Sequence, residues 1–308
     1  MPTATQSRTE PEGRRLSFGD LIETSLPKLV VAPTFVMAMI FIYGYILINA
    51  WLSFTKSRML PKYDWAGTIQ YEKLFANDRW WVAAENLVIF GVLFIVICMA
   101  LGLLLAILLD QRVRAEGAIR TIFLYPMALS FIVTGTAWKW ILNPGLGLEK
   151  VVHDLGFENF SFDWLVDPEM AIYTVVIAGV WQASGFVMAL FLAGLRGVDD
   201  SIIKAAQIDG ASLPKIYWRI IIPSLRPVFF SALIILTHIS IKSFDLVIAL
   251  TGGGPGYSSD VPATFMYTFA FTRGQIGLGA ASSMMMLGVV VAIIVPYLYS
   301  ELRGNRHE

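Results

Sequence analysis

Four long stretches of this chain contain no charged residue. They cover residues 29–55, 86–109, 170–195 and 274–300. A helix rises about 1.5 Å per residue, so each stretch can cross a hydrocarbon layer of about 30 Å. Only 15% of the 308 residues are charged, and 56% are hydrophobic. A water-soluble fold has no need for such uncharged runs, so the sequence predicts a polytopic membrane protein.

Two further apolar segments are less regular. Residues 121–138 are followed directly by Lys139. Residues 227–241 are interrupted by Lys242 and Asp245 before residues 246–251 become apolar again. If each segment forms one span, the chain is an all-α membrane protein with six transmembrane helices.

Charges in the gaps between spans predict the orientation, because basic residues in short loops favour the cytoplasmic side. Basic residues dominate residues 110–120 and 196–226 and both ends of the chain, so these parts, including both termini, are predicted to be cytoplasmic. The acidic gap 143–169 is predicted to be external. The gap 56–85 must also be external for six spans, although it carries five basic residues against four acidic ones.

The predicted organisation has a cytoplasmic tail at each end. Residues 1–28 form the first tail, in which Leu16, Phe18, Leu21 and Ile22 predict either an interfacial helix or a simple linker. The segments that follow are a first span (29–55), an external loop (56–85), a core (86–302) with a cytoplasmic loop at 196–226, and a second tail (303–308).

The basic gap at 196–226 contains a compact pattern of small and turn-forming residues. Lys204-Ala-Ala-Gln-Ile-Asp-Gly-Ala211 is followed nine residues after Gly210 by Ile220-Ile-Ile-Pro223. Alanines allow close approach of another surface, and Asp followed by Gly predicts a helix cap or turn. Pro223 is predicted to end the next helical run. The pattern predicts a helix–turn–helix that projects from the membrane.

This pattern resembles the EAA loop of ABC importer permeases, in which Glu-Ala-Ala, three residues, Gly, nine residues and Ile-x-Leu-Pro recur. Lys204 replaces the usual Glu and Ile222 the usual Leu. The alternative is an ordinary cytosolic helical hairpin. The resemblance implies a type I ABC importer permease fold and docking of this loop, named the EAA loop (residues 196–226), onto an ATP-binding subunit. The implied docking residues are Lys204, Ala205, Ala206, Asp209, Gly210, Ala211 and Pro223.

The resemblance extends over roughly residues 80–302. Four further motifs are similar to the sugar-importing branch of these permeases, and the chain most resembles the permeases of glucose/mannose importers. These motifs are Arg120-Thr-x-Phe-x-x-Pro126, Trp138-Lys-Trp-Ile-Leu-Asn-Pro144, Leu250-Thr-Gly-Gly-Gly-Pro255 and Thr264-x-x-Tyr267.

The resemblance implies alternating access in the bacterial cytoplasmic (inner) membrane. The implied partners are a second homologous permease, two ATP-binding subunits that carry ATP and Mg, an extracytoplasmic sugar-binding protein, and membrane lipid. No cofactor is expected on this chain. A disaccharide or glycerol phosphate is the alternative cargo.

Polar and aromatic residues inside the predicted spans are candidates for the substrate path. Aromatic faces stack on sugar rings, and amides or hydroxyls bind their OH groups. By resemblance, the contacts also fall near Ala183 and Leu236. Lys242 and Asp245, three residues apart, are expected on one helix face, as a functional or a purely structural pair. Helix packing is the alternative for the two aromatic residues. The candidates are Trp181, Gln182, Phe186, His238, Ser240, Lys242 and Asp245.

Other chemistry has little support in the sequence. The glycine-rich residues 251–256 lack the Gly-Lys-Ser/Thr of a nucleotide-binding loop, so ATP hydrolysis is expected on a partner and not on this chain. His153, His238 and His307 lack metal-ligand spacing, and no catalytic residues are predicted. Equal numbers of basic and acidic residues, 23 each, give no reason to expect a nucleic-acid partner. A secondary transporter is the less favoured alternative, because neither an ion site nor an internal repeat is evident.

Overall fold

The computed structural model describes residues 18–60, 62–111 and 114–304. The chain divides into two compact units, Met1–Asn49 and Ala50–Glu308. Within the first unit the structure describes one continuous helix, which belongs to α1 (Phe18–Ser53). The predicted tail residues 1–17 and 305–308 lie outside the described residues. From Phe18 onward the predicted interfacial segment is part of α1, and its placement at a membrane surface stays a prediction.

The described part of the second unit consists of helices joined by loops and contains no strand; an isolated bridge joins Thr55 to Trp65. Short 3₁₀ or π-helical segments continue three of the helices, at Tyr125–Ala128, Tyr217–Ile221 and Thr268–Thr272. The helices that follow α1 are α2 (Ile69–Phe75), α3 (Asp78–Asp110), α4 (Glu116–Leu124), α5 (Phe131–Ile141), α6 (Leu148–Asp154), α7 (Ala171–Arg196), α8 (Asp200–Ile208), α9 (Leu213–Ile216), α10 (Ile222–Ser224), α11 (Arg226–Ile241), α12 (Phe244–Leu250), α13 (Pro262–Tyr267) and α14 (Ile276–Gly304).

Helices α3 and α7 form the centre of the second unit and pack against each other along their lengths. Small residues bring them together: a side chain at Gly102 would collide with Val187, and one at Gly179 would press on the ring of Phe94. Small residues are the usual means of close helix packing in membranes, where lipid and leucine are equally apolar. Most of α7 is therefore buried inside the protein.

The third apolar segment is not the single straight helix that the sequence analysis assumed. Helix α4 and its 3₁₀ extension end at Ala128, and α5 leaves at an angle of 101°. Pro126 favours the break, because it cannot donate a backbone hydrogen bond. Ser130 then caps α5 by accepting a hydrogen bond from the Val133 N–H at 3.3 Å.

The fifth apolar segment is also broken. Helix α11 bends by 63° from the helical run Leu213–Ser224 that precedes it. It ends at Ile241, and α12 starts only at Phe244. Over the described residues, four helices are long and apolar enough to cross a membrane, and six spans result if each bent pair counts as one. The all-α fold is thus confirmed. The predicted third span is bent, and the predicted fifth span is interrupted between Ile241 and Phe244.

The two ends of α3 show which loops share a side of the molecule. Arg79, in its first turn, forms an ion pair with Asp260 in the loop before α13. Asp110, its last residue, accepts a hydrogen bond from Tyr217 in the EAA loop at 3.5 Å. A 33-residue helix is about 50 Å long. The first loop, which ends at α3, and the EAA loop therefore lie at opposite ends of the bundle, as the predicted orientation requires.

Candidate functional site

The first arm of the EAA loop is helix α8, and both of its ends are capped. Asp199 accepts a hydrogen bond from the Ser201 backbone N–H at 2.8 Å, and this bond holds the pKa of the carboxyl below its usual value. At the other end, the Ala211 N–H donates to the Ala206 carbonyl and the Gly210 N–H to the Gln207 carbonyl, each at 3.0 Å. This pair of bonds defines a Schellman motif.

Gly210 is the residue that makes this helix end possible. Its φ of +76° lies in the left-handed region, where a side chain is strained. A Cβ at this position would meet nothing within 4 Å, so the requirement for glycine comes from the backbone and not from crowding. The prediction of a cap at Asp209 and Gly210 agrees with this geometry.

The surface of the EAA loop exposes apolar side chains beside its alanines. Ala205 is exposed and Ala206 half-buried, while Lys204 is exposed and forms no ion pair within the described structure. Large apolar side chains that are exposed near one another on a loop are typical of an interaction surface. Those around α8 and α9 are Ile202, Ile208, Leu213 and Trp218, with exposures of 49%, 86%, 57% and 72%.

The second arm corrects one expectation. Pro223 does not end the helical run; the chain stays helical to Ser224 and bends after it. Because proline lacks an N–H, it removes one bond of the ladder, and the preceding turn, Tyr217–Ile221, is a π-helix. Pro223 lies just C-terminal to that turn, within the first residues of α10.

Two polar contacts fasten the EAA loop to neighbouring helices. Arg196, at the end of α7, forms an ion pair of 2.6 Å with Glu116 at the start of α4. Tyr217, in the second arm, contacts the C-terminal end of α3 through Asp110, and Gln111 donates to its hydroxyl at 3.2 Å. A displacement of the EAA loop would therefore be transmitted to α3 and α4 through these contacts.

The candidate path residues of α7 point in different directions. Trp181 is 40% exposed and packs edge-on against Trp138, with ring centroids 5.9 Å apart. Phe186 is half-buried and Ala183 buried. Gln182 is only 2% exposed, and its Nε2 donates to the Leu129 carbonyl at 2.8 Å. In this conformation Gln182 holds the bend between α4 and α5 and presents no amide to a solute.

The candidates on α11 are similarly divided. Ser240 is buried and donates to the Thr237 carbonyl at 2.9 Å, and Leu236 is fully buried. His238 is exposed and lines a largely apolar groove of about 360 Å³. Ile234 and Ile293 are among the other lining residues, so the groove lies between α11 and α14.

Lys242 and Asp245 do not form the expected pair. The helix that was predicted to carry both is broken between them: Lys242 caps the end of α11, and Asp245 lies in the first turn of α12. Both side chains are exposed, and no ion pair joins them within 4 Å. No hydrogen bond or ring contact in the described chain joins the candidates of α7 to those of α11 and α12. Their common role in a path stays a prediction.

Sequence reasoning missed a polar clamp at the end opposite the EAA loop. Arg79 and Thr264 both donate to the carboxylate of Asp260, whose residue is only 1% exposed. Burial raises the pKa of Asp260, and Arg79 opposes that rise. Asn86 donates to the carbonyls of Ser258 and Asp260 at 2.7 and 2.8 Å. Asn86 could have predicted such a contact, because it starts a predicted span, where an amide without a hydrogen-bond partner is energetically costly.

The first loop also forms a pocket lined by basic residues, named the basic pocket. In the sequence, these residues were only an exception to the rule that basic loops are cytoplasmic. Lys56, Arg58, Lys62 and Lys73 surround a cavity of about 480 Å³ at the same end as the clamp. The five basic residues of the gap 56–85 could have predicted this pocket, because four of them line it.

Comparisons with known proteins agree on one family. Residues 99–304 match the family described as "Binding-protein-dependent transport system inner membrane component". A probable ABC transporter permease protein of Pyrococcus horikoshii is 38% identical over 279 residues, which cover 90% of this chain and 96% of the relative. The xylose/arabinose import permease protein XacH of Haloferax volcanii is 38% identical over 273 residues, covering 87% and 86%.

The fold itself is similar to that of a solved membrane transporter. A chain in the crystal structure of a bacterial ABC transporter for import of the acidic polysaccharide alginate superimposes with a TM-score of 0.78. The two chains share 20% identity, and the match covers 94% of this chain and 98% of that one.

Proposed function

The chain belongs to the family of binding-protein-dependent transport system inner membrane components, and from this premise we propose that it is the permease subunit of an ATP-driven sugar importer. It forms half of the translocation path and takes up the motion of an ATP-binding subunit through the EAA loop. ATP hydrolysis, with its Mg, takes place on that partner.

The observation that carries the proposal is the geometry of α8. The helix is short, capped at both ends and bordered by exposed apolar side chains. Preorganised loops of this kind lose little conformational freedom on binding. The contacts of Arg196 and Tyr217 give the docked helix a route to α4 and α3. An ordinary cytosolic hairpin would not need these attachments.

We propose the remaining parts of the importer by analogy with the family. The chain pairs with a second homologous permease, and two ATP-binding subunits dock from the cytoplasm. An extracytoplasmic binding protein delivers the sugar at the end opposite the EAA loop. Both termini are cytoplasmic, and the complex lies in the cytoplasmic (inner) membrane of a bacterium. Binding of ATP opens the path outward, and hydrolysis resets it inward.

A monosaccharide is the proposed cargo. The motifs of the chain resemble glucose/mannose permeases, and one relative of 38% identity is named for xylose and arabinose. Exposed Trp181, beside Trp138, offers an aromatic surface on which a sugar ring stacks. A disaccharide or glycerol phosphate is the alternative cargo.

Transport in a defined system tests this proposal. The permease pair, the ATP-binding subunits and the binding protein encoded beside them are reconstituted in proteoliposomes, and uptake of labelled glucose, mannose, xylose and maltose is measured. We expect uptake of a monosaccharide that requires ATP and the binding protein. Uptake that does not require ATP but is abolished by an ionophore would indicate a secondary transporter instead.

A further inference from the structure

The basic pocket has a rigid floor. Gln70 donates to the Thr55 carbonyl at 2.6 Å, and the hydroxyls of Thr55 and Ser57 are hydrogen-bonded at 2.6 Å. Ser57 also donates to the Lys62 carbonyl at 2.6 Å, and its own carbonyl accepts from the Gly277 N–H at 2.9 Å. Ser57 and Gln70 are 2% and 6% exposed. The loop is thus held in shape and fastened to the start of α14.

The cations around this floor have no acidic partner. Within the described residues, Lys56, Arg58, Lys62 and Lys73 form no ion pair within 4 Å, and Asp64 is the one acidic residue that lines the pocket. Four positive charges around one cavity repel one another, and an opposite charge relieves that repulsion. The arrangement is complementary to an anionic group that the described part of the chain does not supply.

The positive surface continues beyond the pocket. Lys73 also lines a neighbouring cavity of about 430 Å³, together with Arg79, Arg273 and one acidic residue, Asp78. Arg79 is engaged with Asp260, whereas the guanidinium of Arg273 lies over the ring of Phe269 at 4.6 Å. The two cavities have Lys73 in common, so the basic surface extends beyond a single cavity.

We propose that the basic pocket is a docking site for an acidic surface of the extracytoplasmic binding protein, an inference that rests on the proposed function. The pocket lies at the end opposite the EAA loop, where such a protein must approach. Neutral sugars carry no charge that would match four cations. A protein surface with several carboxylates matches both the number of charges and the extent of the two cavities.

Anionic lipid is the competing occupant, and the lipid composition of the nanodiscs in the experiment distinguishes it from a protein surface. Aromatic side chains are the residues that mark a membrane–water interface. A cluster of them, with ring centroids 5.0–5.4 Å apart, lies where α1 passes into the first loop. Three of the cations, Lys56, Arg58 and Lys62, lie between Phe54 and Trp65 of this cluster in sequence, and with Lys73 they surround a concave cavity. The cluster consists of Trp51, Phe54, Trp65 and Tyr71.

Charge reversal in the full importer tests the proposal. The triple change Lys56→Glu, Arg58→Glu and Lys62→Glu is compared with the neutral triple change to Gln. Lys150→Glu is the matched control, since Lys150 is a cation of the acidic gap at the same end and outside the pocket. Association of the binding protein encoded beside the permease is measured on complexes in neutral phosphatidylcholine nanodiscs, at several salt concentrations, together with basal ATPase activity.

The charge-reversed complex is expected to bind the binding protein at least about tenfold more slowly at low salt, because charges at an interface act mainly on the association rate. The wild-type association rate should fall as salt rises, and that of the Gln variant should depend least on salt. The rate of the charge-reversed complex should rise with salt, because salt screens its repulsion from an acidic surface. Basal ATPase activity and the Lys150→Glu control should be unchanged. Restored association on replacing acidic residues of the binding protein with lysine would support the pairing directly.

Two results would overturn the docking site. One is wild-type association and salt dependence in the charge-reversed complex. The other is a defect that appears only when the nanodiscs contain phosphatidylglycerol, which would assign the pocket to lipid. Failure of the proposed function looks different: the wild-type complex would then show no stimulation by the binding protein at all.

Discussion

Replacing Gly210 tests whether the end of α8 couples the ATP-binding subunit to transport. The residue sits at φ +76° with open space around its missing Cβ, so substitution adds backbone strain without a steric clash. For an L-residue this conformation costs about 1–2 kcal/mol. A cost of that size weakens the closed helix end about five- to thirtyfold.

Three variants separate backbone strain from docking. Gly210→Asn should stay close to wild type, because asparagine tolerates the left-handed region. Gly210→Ala should carry only the backbone cost and lower transport partially. Gly210→Glu adds a charged side chain in the open space where the partner is proposed to lie, and it should abolish transport while membrane insertion stays normal.

The measurement is the amount of sugar delivered per ATP hydrolysed in proteoliposomes, with complex assembly followed by size-exclusion chromatography. The ratio should fall in the order Asn, Ala, Glu. An assembled Gly210→Glu complex with a wild-type ratio would refute the role of this loop. A loss in Gly210→Asn as large as that in Gly210→Ala would refute the conformational argument, because asparagine tolerates the left-handed region and alanine does not.

Three further predictions concern the bundle. Lys242→Met and Asp245→Leu should have additive effects on thermal stability, within about 0.5 kcal/mol, because the exposed residues are unpaired; a larger coupling energy would reveal a pair. Arg79→Ala should destabilise the protein by about 3–5 kcal/mol, because it removes the ion-pair partner of the buried Asp260 carboxylate. Burial already raises the pKa of Asp260, and loss of Arg79 raises it further. The variant's loss in free energy of unfolding should therefore grow as the pH rises through that pKa and shrink below it. A loss that does not depend on pH would contradict this. Gln182→Leu should cost about 1–3 kcal/mol in melting experiments and leave the KM for sugar within about twofold, whereas a changed KM at full stability would make it a sugar-binding residue.

Much of the fold could be predicted from the sequence, because the signals are local. Uncharged runs define spans by length alone, and Asp209-Gly210 specifies a helix end through the backbone preferences of two residues. The EAA loop could be located for the same reason. These features need no knowledge of what the chain packs against.

The predictions were wrong where contacts between residues distant in sequence determine the local structure. The periodicity of residues 121–138 does not reveal a 101° bend that Gln182, more than fifty residues away, holds by its hydrogen bond to Leu129. Lys242 and Asp245 have helical spacing, but the helix breaks between them. Lys56 and Lys73 are distant in sequence, and only the folded first loop brings them around one cavity.

Cross-linking of α8 to its partner tests the central claim most directly. Cysteine is introduced at Lys204, which is exposed on α8, in a background where the buried Cys98 is replaced by Ala. A second variant carries the cysteine at Gly67, in the first loop. A bifunctional thiol reagent should join the Lys204→Cys permease to an ATP-binding subunit with an engineered surface cysteine. The Gly67→Cys variant should be labelled only from outside and never cross-link. No cross-link from Lys204→Cys in an assembled, active importer, or one from Gly67→Cys, would contradict the account.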